Sequence, residues 1–202
     1  MPRLTVVIPT REQPTPQWRQ TNVTIRTLQE QNYRDFEEIT IWDQDRRGAA
    51  WARNAGFALA KTELVLFSDD DITWMPRGIQ AMIETLDREP AAAYSYGAYI
   101  CDWKQPGRLY TIGACPFDPD RLRYSNYIST MTVIRAKDFP GFDETLKRYQ
   151  DWDLWLTMLA SGKAGAYCGE VIFETRLRHN GITHASIPIA EAREAIKRKH
   201  NL

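Results

Sequence analysis

Three consecutive carboxylates, Asp69-Asp70-Asp71, follow directly on the apolar run Leu64-Val65-Leu66-Phe67. Adjacent carboxylates repel one another, so three of them at the mouth of a buried strand cost stability. A divalent cation relieves that repulsion. Mg2+ and Mn2+ prefer carboxylate oxygens, and Mg2+ usually takes only one or two from a protein, leaving its other positions to water and phosphate oxygens. A cation that bridges two phosphates also neutralises the charge that builds up when a diphosphate departs. The bland alternative is a solvated acidic turn opening the next helix. It accounts for one aspartate as an N-cap, but poorly for three.

The elements on either side decide what such a cluster can face. Leu4-Thr5-Val6-Val7-Ile8 is a short β-branched run halted by Pro9, and it reads as a buried strand. A helix is expected over 16–31, with Pro16 in its first turn and Trp18, Ile25 and Leu28 near one face. Glu38-Ile39-Thr40-Ile41-Trp42 reads as a second strand ending at Asp43. A helix over 49–60, the strand 64–67, a helix over 76–88 and a strand over 91–99 complete an alternating series. Such alternation implies a mostly parallel sheet covered by helices, with ligands bound beyond the carboxyl ends of the strands. Thr10, Asp43 and Asp69 to Asp71 stand at those exits.

The second half is less regular. A long loop or hairpin is expected over 102–125, strands over 129–134 and 166–174, and a short apolar helix over 152–159. Trp42, Trp51 and Trp155 sit in apolar patterns and are expected in the core. Trp74, Trp103 and Trp152 lie nearer the expected ligand, where an aromatic face can stack on a sugar ring, although packing is the commoner fate.

The 202 residues suit one domain, and a chain of this size buries roughly 70% of its unfolded surface without needing a disulfide or structural metal. Lys plus Arg balances Asp plus Glu at 26 each, so no global charge draws the chain to nucleic acid or anionic lipid. The last stretch, Ala192 to His200, is basic. It reads either as a solvated terminal helix suited to the dipole or as a docking face for membrane or acceptor. Cys101, Cys115 and Cys168 match no zinc or redox spacing and are expected as free thiols. No signal-peptide pattern opens the sequence, and no apolar stretch approaches the roughly 20 residues that span a bilayer. The expected location is therefore cytoplasmic.

With these pieces in order, the chain resembles the family 2 glycosyltransferases of GT-A fold, from about Leu4 to His179. Val6-Val7-Ile8-Pro9-Thr10 is similar to that family's first strand and nucleotide-binding turn. Gln29-Glu30-Gln31-Asn32-Tyr33 with Phe36-Glu37-Glu38-Ile39 resembles its passage into the second strand. Gly48 with Ala52-Arg53-Asn54-Ala55-Gly56 matches its Gly-x-x-x-Ala-Arg-Asn-x-Gly segment, and Ser68 to Asp71 occupies the place of its DxD motif. Gly141-Phe142-Asp143-Glu144 and Gln150-Asp151-Trp152-Asp153 resemble its acceptor-side segment, and Arg178-His179 its late basic pair. Three departures bear on the ligand. Arg11-Glu12 stands where Tyr-Asn is frequent, Gln44-Asp45-Arg46-Arg47 replaces the usual loop after the second strand, and Gln150 replaces the glutamate of a Glu-Asp pair.

The resemblance implies an α/β GT-A domain over 1–202. A nucleotide-binding half would occupy about 1–100, an acceptor half about 101–180 and a C-terminal helix about 187–202. It implies inverting transfer from a nucleotide-sugar, UDP-sugar by family frequency with GDP- or TDP-sugar open, using Mn2+ or Mg2+. Pro9, Thr10 and Arg11 would line the nucleotide, Asp43 would meet its base, Asp69 the ribose and Arg53 the diphosphate, with Arg46 and Arg47 able to play that last part. Asp70, Asp71 and His179 would hold the metal, although Asp71 can instead cap the next segment and His184 lies close to His179 in sequence. Asp151 would be the catalytic base, with Asp153 as runner-up. The plain reading of Asp151 is the N-cap of the 152–159 helix, and the two are compatible. The acceptor is a glycan, a lipid-linked sugar or another hydroxyl-bearing molecule; a nucleic acid is disfavoured by the neutral charge. A nucleotidyltransferase is disfavoured because residues 10–20 lack the glycines of a phosphate-cradling loop. A non-catalytic glycan-binding module is disfavoured by the intact carboxylates.

Overall fold

Strand β1 (Leu4–Thr10) lies between β2 (Phe36–Trp42) and β3 (Leu64–Phe67), parallel to both. The structure is a computed structural model and describes residues 1–102, 108–176 and 187–202. Alternate residues of these strands enter two separate cores. Leu4, Val6, Ile8, Leu64 and Leu66 face one, and Val7, Val65 and Phe67 face the other. This is period-2 geometry with both faces covered, which is why the strands read as unbroken apolar runs. The first core is closed by α2 (Val23–Gln29) and α4 (Gly78–Arg88), and the second by α6 (Gln150–Ala160) together with the 139–142 segment.

The sheet is mixed. Its order is β2-β1-β3-β7-β5-β8-β4, with β6 paired to β5. β7 (Val133–Arg135) enters antiparallel between β3 and β5 (Tyr94–Cys101) and joins the two halves into one sheet. β5 runs parallel to β8 (Gly165–Thr175), whereas β4 (Ile72–Trp74) and β6 (Tyr110–Ile112) are antiparallel additions. The parallel pairings come from the strand–helix alternation, and the antiparallel ones from short strands that alternation does not register.

Several expectations are corrected in detail. The single helix over 16–31 is two helices, α1 (Pro16–Thr21) and α2, because Asn22 adopts extended backbone (φ −66°, ψ 126°). Its side chain accepts from the Ile25 N–H, so it caps α2 as α1 ends. Within the 102–125 segment the described residues form β6 and α5 (Pro119–Tyr124). Trp42 is 36% exposed rather than core, because it ends β2 at the sheet's edge. Trp74 and Trp152 are buried rather than free to stack on a ligand. Their indole N–H groups are bonded to Ser68 Oγ at 2.9 Å and to the Leu122 carbonyl at 2.7 Å. Trp103 lies outside the described residues.

Candidate functional site

The exits of the three parallel strands share one edge. Thr10 pairs with Trp42 and Val7 with Phe67, so β1 runs slightly past β3. The ladder continues through the Asp43 N–H to the Thr10 carbonyl (2.8 Å) and the Ser68 N–H to the Val7 carbonyl (2.9 Å). Pro9 and Thr10, Asp43 and the 68–71 turn therefore open on the same side, with exposed Arg11 just beyond. The Thr10 hydroxyl accepts from the Glu12 N–H at 3.1 Å, which tightens that turn. Asp43 is buried, and its two carboxylate oxygens accept the N–H groups of Arg47 (2.7 Å) and Gly48 (2.8 Å). It thereby shapes the loop that leads into α3 (Ala49–Leu59) through the positive φ of Arg46 (55°) and Gly48 (114°).

The backbone of the acidic turn is held from α2. Asn22 Nδ2 donates to the Asp70 carbonyl at 2.8 Å. The Thr24 hydroxyl donates to the Ile72 carbonyl (2.9 Å), lies 3.1 Å from the Asp69 carbonyl and accepts the Ile72 N–H (3.0 Å). Ser68 Oγ takes the Trp74 indole N–H and reaches the Asp69 carbonyl at 3.2 Å. These bonds fix the turn's backbone, and the side chains of Asp69, Asp70 and Asp71 are half-buried at the strand exit. Hard oxygen donors of this kind fit Mg2+ or Mn2+. Among the described residues no three His, Cys, Asp or Glu side chains converge on one point. His179 and His184 lie outside the described residues.

Helix α3 ties the acidic turn to the other half of the molecule through three residues of its Arg-Asn-Ala-Gly segment. Arg53 is only 6% exposed. One of its terminal nitrogens donates to Asp69 Oδ1 at 2.6 Å and the other to Gln150 Oε1 at 3.3 Å, while its Nε is buried without a hydrogen-bond partner. The guanidinium thus spans from the β3 exit to the start of α6. Asn54 clamps the Phe142 backbone from both sides, accepting its N–H and donating to its carbonyl, each at 2.9 Å. At Gly56 a Cβ would lie 2.2 Å from Val7 Cγ1, so only glycine lets α3 sit this close to β1.

Tyr149, with φ 58° and ψ 30°, is the N-cap of α6. Asp151 is therefore not the cap but lies inside the first turn. A left-handed non-glycine residue here, beside the candidate base, is the kind of local strain that surrounding contacts must hold in place. Half-buried Asp151 accepts from the Trp152 N–H through Oδ1 (2.9 Å) and from Asn126 Nδ2 through Oδ2 (2.7 Å). Burial pushes its carboxyl above the ordinary aspartate range, opposed by those two hydrogen bonds and the charge of Arg53. The runner-up, Asp153, is buried and bonded to Lys199 Nζ (2.8 Å) and His200 Nε2 (2.8 Å) of the C-terminal tail, which leaves it occupied. The structure thus brings Asp69, Arg53, Gln150 and Asp151 into one connected chain of contacts. Asn54 and Ser68 stand in the matched motifs, whereas Asn126 joins the site without having been singled out by its place in the sequence. The contact of Asn126 to Asp151 spans 25 positions and leaves no periodic trace.

Residues 24–146 match the sequence model of Glycosyl transferase family 2. A protein from Haemophilus influenzae described as an uncharacterized glycosyltransferase is 27% identical over 144 residues, covering 66% of this chain and 48% of its own. The chain thus spans about half the length of that curated relative. In fold the chain is similar to S. aureus TarS 1–349 in complex with UDP-GlcNAc. The TM-score is 0.74 at 15% identity, covering 98% of this chain and 65% of TarS 1–349. It is also similar to the mannosyltransferase PcManGT from Pyrobaculum calidifontis in complex with GDP-Man and Mn2+. There the TM-score is 0.61 at 14% identity, covering 90% of this chain and 59% of that one.

Proposed function

Since the chain belongs to glycosyl transferase family 2, we propose that it moves a sugar from a nucleotide-diphosphate donor to an acceptor hydroxyl with inversion at the anomeric carbon. The carrying observation is the Arg53 bridge, which joins Asp69 at the β3 exit to Gln150 beside Asp151. This contact supports a reading in which a phosphate-side group and a proton acceptor work side by side. The UDP-GlcNAc bound by TarS and the GDP-Man with Mn2+ bound by PcManGT support a nucleotide-sugar donor of this class.

In this reading the nucleotide lies over the strand exits, against Pro9, Thr10, Arg11 and Asp43, with Asp69 at the ribose. Asp70 and Asp71, with His179, are the residues that would hold Mn2+ or Mg2+, which when bound neutralises the charge of the departing diphosphate. Arg53 adds a fixed positive charge on the same side. Asp151 accepts the proton of the acceptor hydroxyl as that oxygen bonds to the anomeric carbon. The bond from that carbon to the diphosphate oxygen breaks, and its electron pair leaves with the nucleotide. Holding both reactants in line supplies much of the rate. A UDP-sugar is the favoured donor, and a glycan or lipid-linked sugar the favoured acceptor class.

Donor hydrolysis tests the reading. Release of UDP from UDP-glucose and UDP-GlcNAc, and of GDP from GDP-mannose, is measured with and without Mn2+. At least one donor should turn over, and only with the metal. No turnover of any donor together with tight glycan binding would instead favour a non-catalytic module.

A further inference from the structure

We propose that Asn126 is a positioning residue for Asp151, its amide holding the carboxylate in the rotamer from which it takes the acceptor's proton. This rests on Asp151 being the base. Asn126 lies in the segment between α5 and β7, where no regular element fixes it. Two buried indoles of α6 fasten that segment instead. The Trp152 N–H donates to the Leu122 carbonyl at 2.7 Å, and the Trp155 N–H donates to the Ile128 carbonyl at 3.0 Å. Between these two staples, Asn126 Nδ2 donates to Asp151 Oδ2 at 2.7 Å. The orientation of the amide is set by its own oxygen, which accepts the Ile128 N–H at 3.3 Å and so turns the NH2 group toward the carboxylate.

Asp151 is consequently gripped at both oxygens, by Asn126 on Oδ2 and by the Trp152 N–H on Oδ1, and each oxygen keeps a lone pair for substrate. A general base needs reach and orientation before it needs a suitable pKa. The same amide also acts on charge. Burial works against the Asp151 carboxylate, while the Trp152 N–H, Asn126 and the Arg53 charge from α3 favour it. On β5, burial raises the Tyr99 phenol, with smaller contributions from Cys101 and from the Asp151 charge. Among the described residues Asn126 is thus the side chain that donates to the carboxylate, and removing it should both loosen the base and make it harder to ionise.

Two variants separate positioning from a merely structural role. Asn126→Asp is nearly isosteric and keeps an oxygen for the Ile128 N–H, but it loses the donor and sets a second carboxyl against the first. Asn126→Ala removes both contacts. The Asp151 carboxyl is followed by 13C NMR titration of aspartate-labelled protein and assigned by its loss in Asp151→Asn, so no donor or acceptor is needed. The expected result is an Asp151 midpoint about one pH unit higher in Asn126→Ala, a roughly tenfold smaller carboxylate fraction below the midpoint. In Asn126→Asp the upper apparent midpoint of the coupled pair should be higher still, with the parent's melting temperature retained. The acid limb of kcat for UDP-glucose hydrolysis with Mn2+ should move with these midpoints while KM stays put. A parent midpoint in both variants, or a parent kcat profile in Asn126→Asp, overturns the proposal. Full activity in Asp151→Asn would overturn the base reading itself, whatever the titration shows.

Discussion

At Asp151 burial and charge pull in opposite directions, and the balance has a kinetic consequence. Its carboxyl is raised above the ordinary range by burial, against the Trp152 N–H, Asn126 and Arg53. In its proposed role as base, Asp151 must be ionised to act. Activity should therefore fall as pH drops through that raised value, at a higher pH than an exposed aspartate would give. Asp151→Asn should remove this limb and lower kcat by about 10²- to 10⁴-fold, leaving nucleotide affinity within about twofold; steady-state kinetics and calorimetric UDP titration check the two parts. Arg53 makes a different demand. Its fork reaches Asp69 and Gln150 together, and a lysine keeps the charge but cannot span both. Arg53→Lys should weaken UDP binding in the presence of Mn2+ and lower kcat as well, measured in the same two assays.

Among the elements, α3 does most of the joining. Three residues of its Arg-Asn-Ala-Gly segment reach in different directions. Arg53 points toward Asp69 and Gln150, Asn54 grips the Phe142 backbone, and Gly56 lies against Val7. Gly56→Ala should cost about 1–3 kcal/mol by overpacking against β1, read from urea unfolding, and Val7→Ala in the same chain should return part of it. Asn54→Ala leaves the Phe142 N–H and carbonyl to find other partners and should cost a similar amount, about 1–3 kcal/mol. The parallel β2-β1-β3 unit and its exits were legible in the sequence because buried runs and the residues that halt them are local signals. The break at Asn22 was not, since the asparagine that caps α2 also donates to Asp70 48 positions away, and that tertiary bond favours two short helices over one. β4 was hidden because three residues between an acidic turn and Pro76 carry no readable period. At the candidate site, the residue types at the strand exits could be read directly. The Asn126 contact and the occupation of Asp153 by Lys199 and His200 could not, because they depend on segments that meet only after folding.

For the molecule as a whole, the two halves are joined by β7 and by α3, while the C-terminal helix α7 (Ile189–Lys199) bonds residues of the second half. The basic tail expected as solvated or as a docking face is partly spent inside the chain. Ile196 is buried, and Lys199 bonds both Asp143 (2.7 Å) and Asp153. The hydrogen bond from Lys199, helped by Thr145, holds the Asp143 carboxyl down to about 2. Because the folded value lies below the unfolded one of about 4, this pair contributes stability above that pH and loses it as pH falls through about 2. Asp143→Asn should therefore lower the melting temperature at pH 6, and the gap to the parent should close toward pH 2. No helix among the described residues is long and apolar enough to cross a membrane. Cys101, Cys115 and Cys168 form no disulfide, as expected. In the proposed reading these connections serve the strand exits, where a cation held by the carboxylates of the β3 turn would meet the diphosphate of the donor. Calorimetric titration of UDP into the parent and into Asp70→Asn, each with and without Mn2+, tests that claim most directly. The account predicts that Mn2+ tightens UDP binding to the parent by at least about tenfold and has no such effect on Asp70→Asn, whose metal-free affinity is unchanged. Equal tightening by Mn2+ in both proteins would contradict it.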